Sequence, residues 1–206
     1  MKKFKTIILL FLLILLPSKA FSLIEVDITR GNLNPLPIAV SPLATDSDST
    51  SSLNSELNVK NIGLEISKVV ENNLRTSGLF NPLNKDAFLQ KPDIAHLKPR
   101  FEDWALIKAQ ALITGKVILK EEKLRVEFRL WDVLAGKEMM ALAFTTVPNN
   151  WRRVGHIITD KVYERLTGEK GYFDTRIIYV AEEGPKTQRI KKLAIMDQDG
   201  ANNKFL

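Results

Sequence analysis

Apolar residues along this chain change their period several times, and each change predicts an element. The first pattern is an unbroken apolar run, Ile7 to Leu16, behind Lys2, Lys3 and Lys5 and ahead of Pro17-Ser-Lys-Ala-Phe-Ser22. A cationic start, a short apolar stretch and a small-residue site have the layout of a secretory signal peptide. The run falls well short of the roughly 20 residues that a spanning helix needs, which disfavours a retained anchor. Cleavage fits after Ala20 or after Ser22, the second cut falling between Ser22 and Leu23.

From Leu23 to Thr29 the period becomes two, with Ile24, Val26 and Ile28 on one side and Glu25 and Asp27 on the other. That pattern predicts a half-buried strand or a strand-forming tail. Pro37 to Pro42 reads as a short strand bounded by prolines, and Ala44 to Glu56, rich in Ser, Asp and Thr, as a mobile surface loop. Over Leu57 to Thr76 the period lengthens: Val59, Ile62, Ile66, Val69, Val70 and Leu74 form the stripe of an amphipathic helix, with Gly78 placed to end it. Phe80-Asn-Pro-Leu83 reads as a turn before a Pro-interrupted segment through Pro99. Phe101 to Ala109 predicts two helical turns with Trp104 and Ile107 facing inward.

Three strands follow, at Ala111–Leu119, Lys123–Val133 and Glu138–Val147, joined at Glu121-Glu122 and at Ala135-Gly136-Lys137. Such short joints predict an antiparallel meander. Asn150 to Leu166 then carries Val154, Ile158, Val162 and Leu166 on one helical stripe, ended by Thr167-Gly168. The sum is a two-layer α/β domain over about 23–170, with a mixed sheet of about five strands and two main helices on one face. Beyond it, Arg176–Ala181 and Lys192–Met196 predict two more strands, followed by a tight turn at Asp197-Gln-Asp-Gly200. Two strands with an apolar face do not fold alone, so this tail is expected to need partner strands from outside the sequence.

Composition alters this picture in two places. The 206 residues contain no cysteine, which excludes a disulfide scaffold, zinc ribbons and cysteine nucleophiles. The formal charge of +6 suggests nucleic acid, but four of the 30 basic residues and none of the 24 acidic ones lie in the leader. The remainder is close to neutral and makes no electrostatic case for a polyanion. An exported compartment, best a bacterial periplasm, is the expected destination.

Candidate chemistry is sparse. Of the two histidines, His96 follows Asp93 in the Pro-rich segment, and His156 stands one helical turn before Asp160, a spacing that permits a hydrogen bond. The nearest hydroxyl, Thr159, is expected on a different helical face, so a structural His156–Asp160 pair outweighs a catalytic site. Asp197-Gln-Asp-Gly200 opens like a calcium loop but lacks the later ligands, and no glycine cluster cradles phosphate. No catalytic residue, metal site, cofactor, nucleic-acid partner or small-molecule substrate is expected. The alternating segment Leu23 to Arg30, followed by Gly31 and two prolines, suits β-augmentation of a partner's sheet edge; an edge strand internal to the domain is the equal alternative.

Several stretches resemble the N-terminal domain of the TolB family, the periplasmic component of the Tol–Pal envelope system. They are Pro37-Ile-Ala-Val-Ser-Pro-Leu43, Leu74-Arg-Thr-Ser-Gly-Leu-Phe-Asn-Pro-Leu83 and Leu112-Ile-Thr-Gly-Lys-Val117. The most specific runs from Trp151 through Gly155-His156, Asp160 and Lys161-Val-Tyr-Glu-Arg-Leu-Thr-Gly168 to Lys170-Gly-Tyr-Phe-Asp-Thr-Arg-Ile177. The resemblance implies a small α/β domain ahead of a six-bladed β-propeller, and no enzymatic activity. It implies that Leu23, Ile24, Glu25, Val26, Asp27, Ile28, Thr29 and Arg30 belong to the segment, here 23–34, that the C-terminal domain of TolA takes up, and that cleavage follows Ser22. It further implies that Pal occupies the propeller, that the two events are coupled, and that the system keeps the outer membrane invaginating with the dividing cell.

Against that pattern, residues 171–206 look like the opening strands of a propeller whose six blades, at about 40–45 residues each, would need some 240–270 residues more. Pal binding is therefore not expected of this chain, and the tail is an expected unpaired edge prone to aggregation. The stretch 44–56 has no match in the family. A non-functional product of a truncated gene is the alternative reading, and a periplasmic hydrolase using His156 a further one.

Overall fold

The computed structural model describes residues 34–45, 59–120 and 122–206. Its centre is a mixed sheet in the order β3-β1-β4-β5-β6, with a further two-residue strand, β2, beside β4. Strand β1 (Leu36–Val40) lies parallel to β3 (Phe80–Pro82) on one side and to β4 (Ala111–Lys120) on the other. Such a strand is covered on both faces, which is why Leu36-Pro-Ile-Ala-Val40 is nearly continuous in apolar residues rather than alternating. Strands β4, β5 (Lys123–Asp132) and β6 (Lys137–Thr146) form the antiparallel meander expected from the sequence. In β5, Leu124, Val126, Phe128 and Leu130 are buried while Arg125 and Arg129 are exposed, a half-covered strand with a period of two.

Two loops of the sequence reading are strands in the structure. Phe80-Asn-Pro82, expected as a turn, is β3: Phe80 and Pro82 are buried, Asn81 is exposed, and the register sets Leu36 opposite Phe80. Proline is tolerated there because β3 is an edge strand, whose outer N–H needs no partner. Ala44–Thr45, expected to open a loop, is β2, parallel to Lys116–Val117. The rest of that expected loop, 46–56, lies outside the described residues, as do the expected leader, the cleavage pair Ser22–Leu23, and the segment Leu23 to Arg30.

Helices α1 (Val59–Thr76) and α4 (Trp151–Thr167) cover one face of the sheet. Ile62, Ile66, Val70 and Leu74 of α1 and Val154, Ile158, Val162 and Leu166 of α4 meet the inward residues of β1, β4 and β5 in one core. The two helices approach closely because α4 offers Gly155 at the crossing: a Cβ there would lie 2.9 Å from Val69 Cγ1. Gly168, left-handed at φ +77°, ends α4 as the sequence predicts.

The opposite face is not bare. The short helices α2 (Pro92–Ala95) and α3 (Phe101–Leu106) place Ala95 and Trp104 against Ala39, Ala109, Leu112 and Val133, a second, smaller core. Buried Gln90 ties them together: its Nε2 donates to Lys98 O at 3.1 Å, and its Oε1 accepts from Arg100 N at 2.9 Å and from Trp104 Nε1 at 3.1 Å. Trp104 and Ile107 face this core, as expected.

The tail forms a separate three-stranded antiparallel sheet of β7 (Arg176–Glu183), β8 (Ile190–Asp197) and β9 (Lys204–Phe205). The sequence showed two of these strands and missed β9, whose two residues are too few to carry a period. Ile178, Val180, Ile190 and Phe205 are all more than half exposed, so this sheet has an uncovered apolar surface. No described helix is long and apolar enough to cross a membrane.

Candidate functional site

Among the described residues, the densest group of buried polar side chains lies where the tail meets the seam between α1 and α4. Helical geometry puts Asn73 on the apolar stripe of α1, seven residues after Ile66, and it is fully buried. From α4, His156 and Thr159 face it. Asn73 Nδ2 donates to Thr159 Oγ1 at 3.2 Å and lies 2.9 Å from His156 Nδ1. The hydroxyl of Thr159 donates to Gly155 O at 2.9 Å. The tight turn after β8 closes the group: Gln198 Nε2 donates to Asn73 Oδ1 at 2.9 Å, and Arg152 of α4 donates to Asp199.

Two expectations about His156 change here. Asp160 is not its partner, because both of its carboxylate oxygens accept from backbone N–H groups further along, Phe173 at 2.6 Å and Asp174 at 3.1 Å. Gly171 makes room for that clasp, since a Cβ there would come within 2.4 Å of the Asp160 Cα. Thr159, expected on another face, instead shares Asn73 with His156. Arg153 adds a fork of three hydrogen bonds to Asp174, at 3.0–3.2 Å. The connection from α4 to β7 is therefore strapped down along its length rather than free. His96 stands apart from this group, its Nδ1 3.3 Å from Pro92 O.

The electrostatics are those of a closed joint. His156 is 3% exposed, and burial, opposed by the Asp199 carboxylate and assisted by the Arg152 guanidinium, holds its imidazole below the ordinary histidine range. His156 Nε2, Asp197 and Asp199 offer ligand atoms within 4.8 Å of one another, a spacing that a metal ion could bridge. The residues present do not suit one. Arg152 already supplies the cation on Asp199, and Arg176 lies 3.8 Å from Asp197. An imidazole whose Nδ1 accepts from Asn73 carries its proton on Nε2, which leaves no lone pair there for a metal. The Asp197–Gly200 stretch is a β-turn, closed by Gly200 N to Asp197 O at 2.9 Å.

Of these residues the sequence singled out His156, Thr159, Asp160 and the Asp197–Gly200 turn, but not the partners that join them. One signal was available: Asn73 interrupts an otherwise apolar stripe, and a polar residue in that position needs a buried partner.

The family described as the TolB amino-terminal domain matches residues 24–139 of this chain. A Tol–Pal system protein TolB from Pelagibacter ubique (strain HTCC1062) is 78% identical over 198 residues, which is 96% of this chain and 44% of that protein. The chain thus spans less than half the length of that relative. Among solved structures, TolB from Acinetobacter baumannii superimposes with a TM-score of 0.66 over 89% of this chain and 41% of its own, at 23% identity. That likeness concerns the fold alone.

Proposed function

The chain belongs to the TolB family, and on that premise we propose that it is a non-enzymatic adaptor of the Tol–Pal system, working in the periplasm after removal of residues 1–22. Residues 23–170 form its N-terminal domain, and 171–206 are the opening strands of a β-propeller. The segment 23–34, above all Leu23 to Arg30, adds as a strand to the C-terminal domain of TolA. In the full-length family that capture links TolA to Pal, which meets the propeller; residues 1–206 carry the TolA side of the link.

The observation that supports this reading most is the position of β1. It begins at Leu36, just after the proposed capture segment, and lies between β3 and β4, one strand in from the edge of the sheet. The segment therefore joins the domain through a strand hydrogen-bonded on both sides, with three register pairs to β3 and three to β4. An alternating strand with polar Glu25 and Asp27 on one face and Ile24, Val26 and Ile28 on the other suits an exposed sheet edge.

The test is capture of the isolated TolA C-terminal domain by the chain starting at Leu23, beside a version starting at Asn34. Capture by the first and its loss in the second, with unchanged near-UV circular dichroism, is the expected result. A folded chain from Leu23 that captures nothing, or a shortened chain that still captures TolA, overturns the reading.

A further inference from the structure

The polar joint between α1, α4 and the turn after β8 contains one titratable group whose proton position is dictated by its neighbours. Asn73 Oδ1 accepts from Gln198, so its Nδ2 is the atom that faces His156 Nδ1 and Thr159. Both amide orientations follow from this chain of hydrogen bonds. A ring nitrogen that accepts carries no hydrogen, and neutral His156 therefore holds its proton on Nε2.

We propose that the His156–Asn73–Gln198 chain is a proton-operated latch: neutral His156 keeps the Asn73 amide turned so that it clasps Gln198, and a proton arriving at Nδ1 undoes that clasp and loosens the tail sheet from the α1–α4 seam. The reason is polarity. A protonated ring presents N–H at both nitrogens, so Nδ1 would face the Asn73 N–H donor against donor. Relief requires the amide to turn over. That puts Nδ2 against the Gln198 Nε2 donor, so the clasp as it stands is lost and re-forms only if Gln198 turns its own amide as well, and it asks Thr159 to surrender Gly155 O. One proton on α4 is thus felt at the tail turn through a single asparagine.

The charged groups around His156 set the conditions. From the tail turn come Asp197 and Asp199, from its own helix Arg152, and from the connection to β7 Asp174, while α1 contributes the uncharged Asn73. Asp199 Oδ2 lies 3.9 Å from Nε2, beyond hydrogen-bond reach, and already accepts from Arg152, so its attraction for a charged ring is outweighed by burial. Burial opposes the charge, and the latch stays shut at neutral pH and opens under mild acid.

The first measurement needs no variant. Nitrogen-proton correlation of the two histidine rings in the intact chain, at about pH 7.5, reads the tautomer directly. The hydrogen of His156 is expected on Nε2, with His156→Gln assigning the signal, and a hydrogen on Nδ1 overturns the proposal. The second is amide exchange over residues 194–201 at about pH 7.5 and about pH 5.5, corrected for intrinsic rates. Protection is expected to fall about tenfold more than the correction in the parent chain and to stay level in His156→Gln. An equal fall in both, or a rise in the parent, sinks the latch. Should His156→Gln not fold, Gln198→Ala serves: it is expected to exchange fast at both pH values, and a parent-like acid response in it is equally fatal.

Discussion

The chain contains two sheets built from the same kinds of residue, with opposite fates. In the N-terminal sheet, Ile38, Leu112, Leu124 and Phe128 are shut away by helices on both sides. In the tail sheet, Ile178, Val180 and Ile190 stand more than half exposed. Alternation of apolar residues reports that a strand has a face to bury. It does not say which residues bury it. The N-terminal domain carries its own covering helices, whereas the tail is fastened to that domain by polar contacts and by the buried ring of Phe173 against Tyr163, and leaves the apolar surface of its sheet open.

The largest expected effect comes from testing that contrast in the core. Leu74→Ala, at a fully buried position, is expected to cost about 3–4 kcal/mol in denaturant unfolding. Ile178→Ala in the tail should stay within about 0.5 kcal/mol. Comparable losses at both would mean that the tail sheet is buried in solution, by self-association or otherwise. Next in size is Gly155→Val at the helix crossing, where side-chain atoms beyond a Cβ already only 2.9 Å from Val69 Cγ1 must push α1 away. A loss of about 1–3 kcal/mol, read from the same unfolding curves, is expected.

A smaller effect separates the joint from the core. Asp160→Ala strips two backbone N–H groups of their acceptor and should cost about 1–2 kcal/mol. Exchange should quicken at Phe173 and Asp174 while β1 and β4 keep their protection; equal quickening in β4 would show that strap and core open as one unit. The smallest effect is with pH. The folded state holds His156 neutral below its ordinary value of 6.5, so stability is complete above that pH. It should decline as the pH falls from 6.5 toward the lowered folded value, because the unfolded chain takes the proton first. Melting of His156→Gln across the same range isolates this contribution, and identical pH slopes with and without the histidine would refute it.

Much of the larger sheet was legible because its elements are long enough to show a period. Strands β4 to β6 have ten residues each, and α1 and α4 repeat their apolar stripes over four turns or more. Strands β2, β3 and β9 escaped because two or three residues have no period, and Pro82 pointed to a turn. The second core was hidden for another reason: Ala39 and Leu112 sit inside runs apolar on both faces, which read the same whatever covers them. The polar joint was half legible. Local spacing offered Asp160 to His156, while the partner it takes, Asn73, lies 83 residues away in sequence. Only the packing of α1 on α4 could bring them together.

The way the tail is fixed has a mechanical corollary. One attachment is the strap at Asp160, Arg153 and Asp174; the other is the turn seated on Asn73 and Arg152. A body pinned to another at two separate points loses its translations and keeps one rotation, about the line through the pins. Release of the second pin alone would restore swivelling about the first without detaching anything. Under the proposed latch the joint is a clutch: engaged, it passes torque between the two sheets about every axis but the line of the pins, and disengaged, it lets them turn while the chain between them stays anchored.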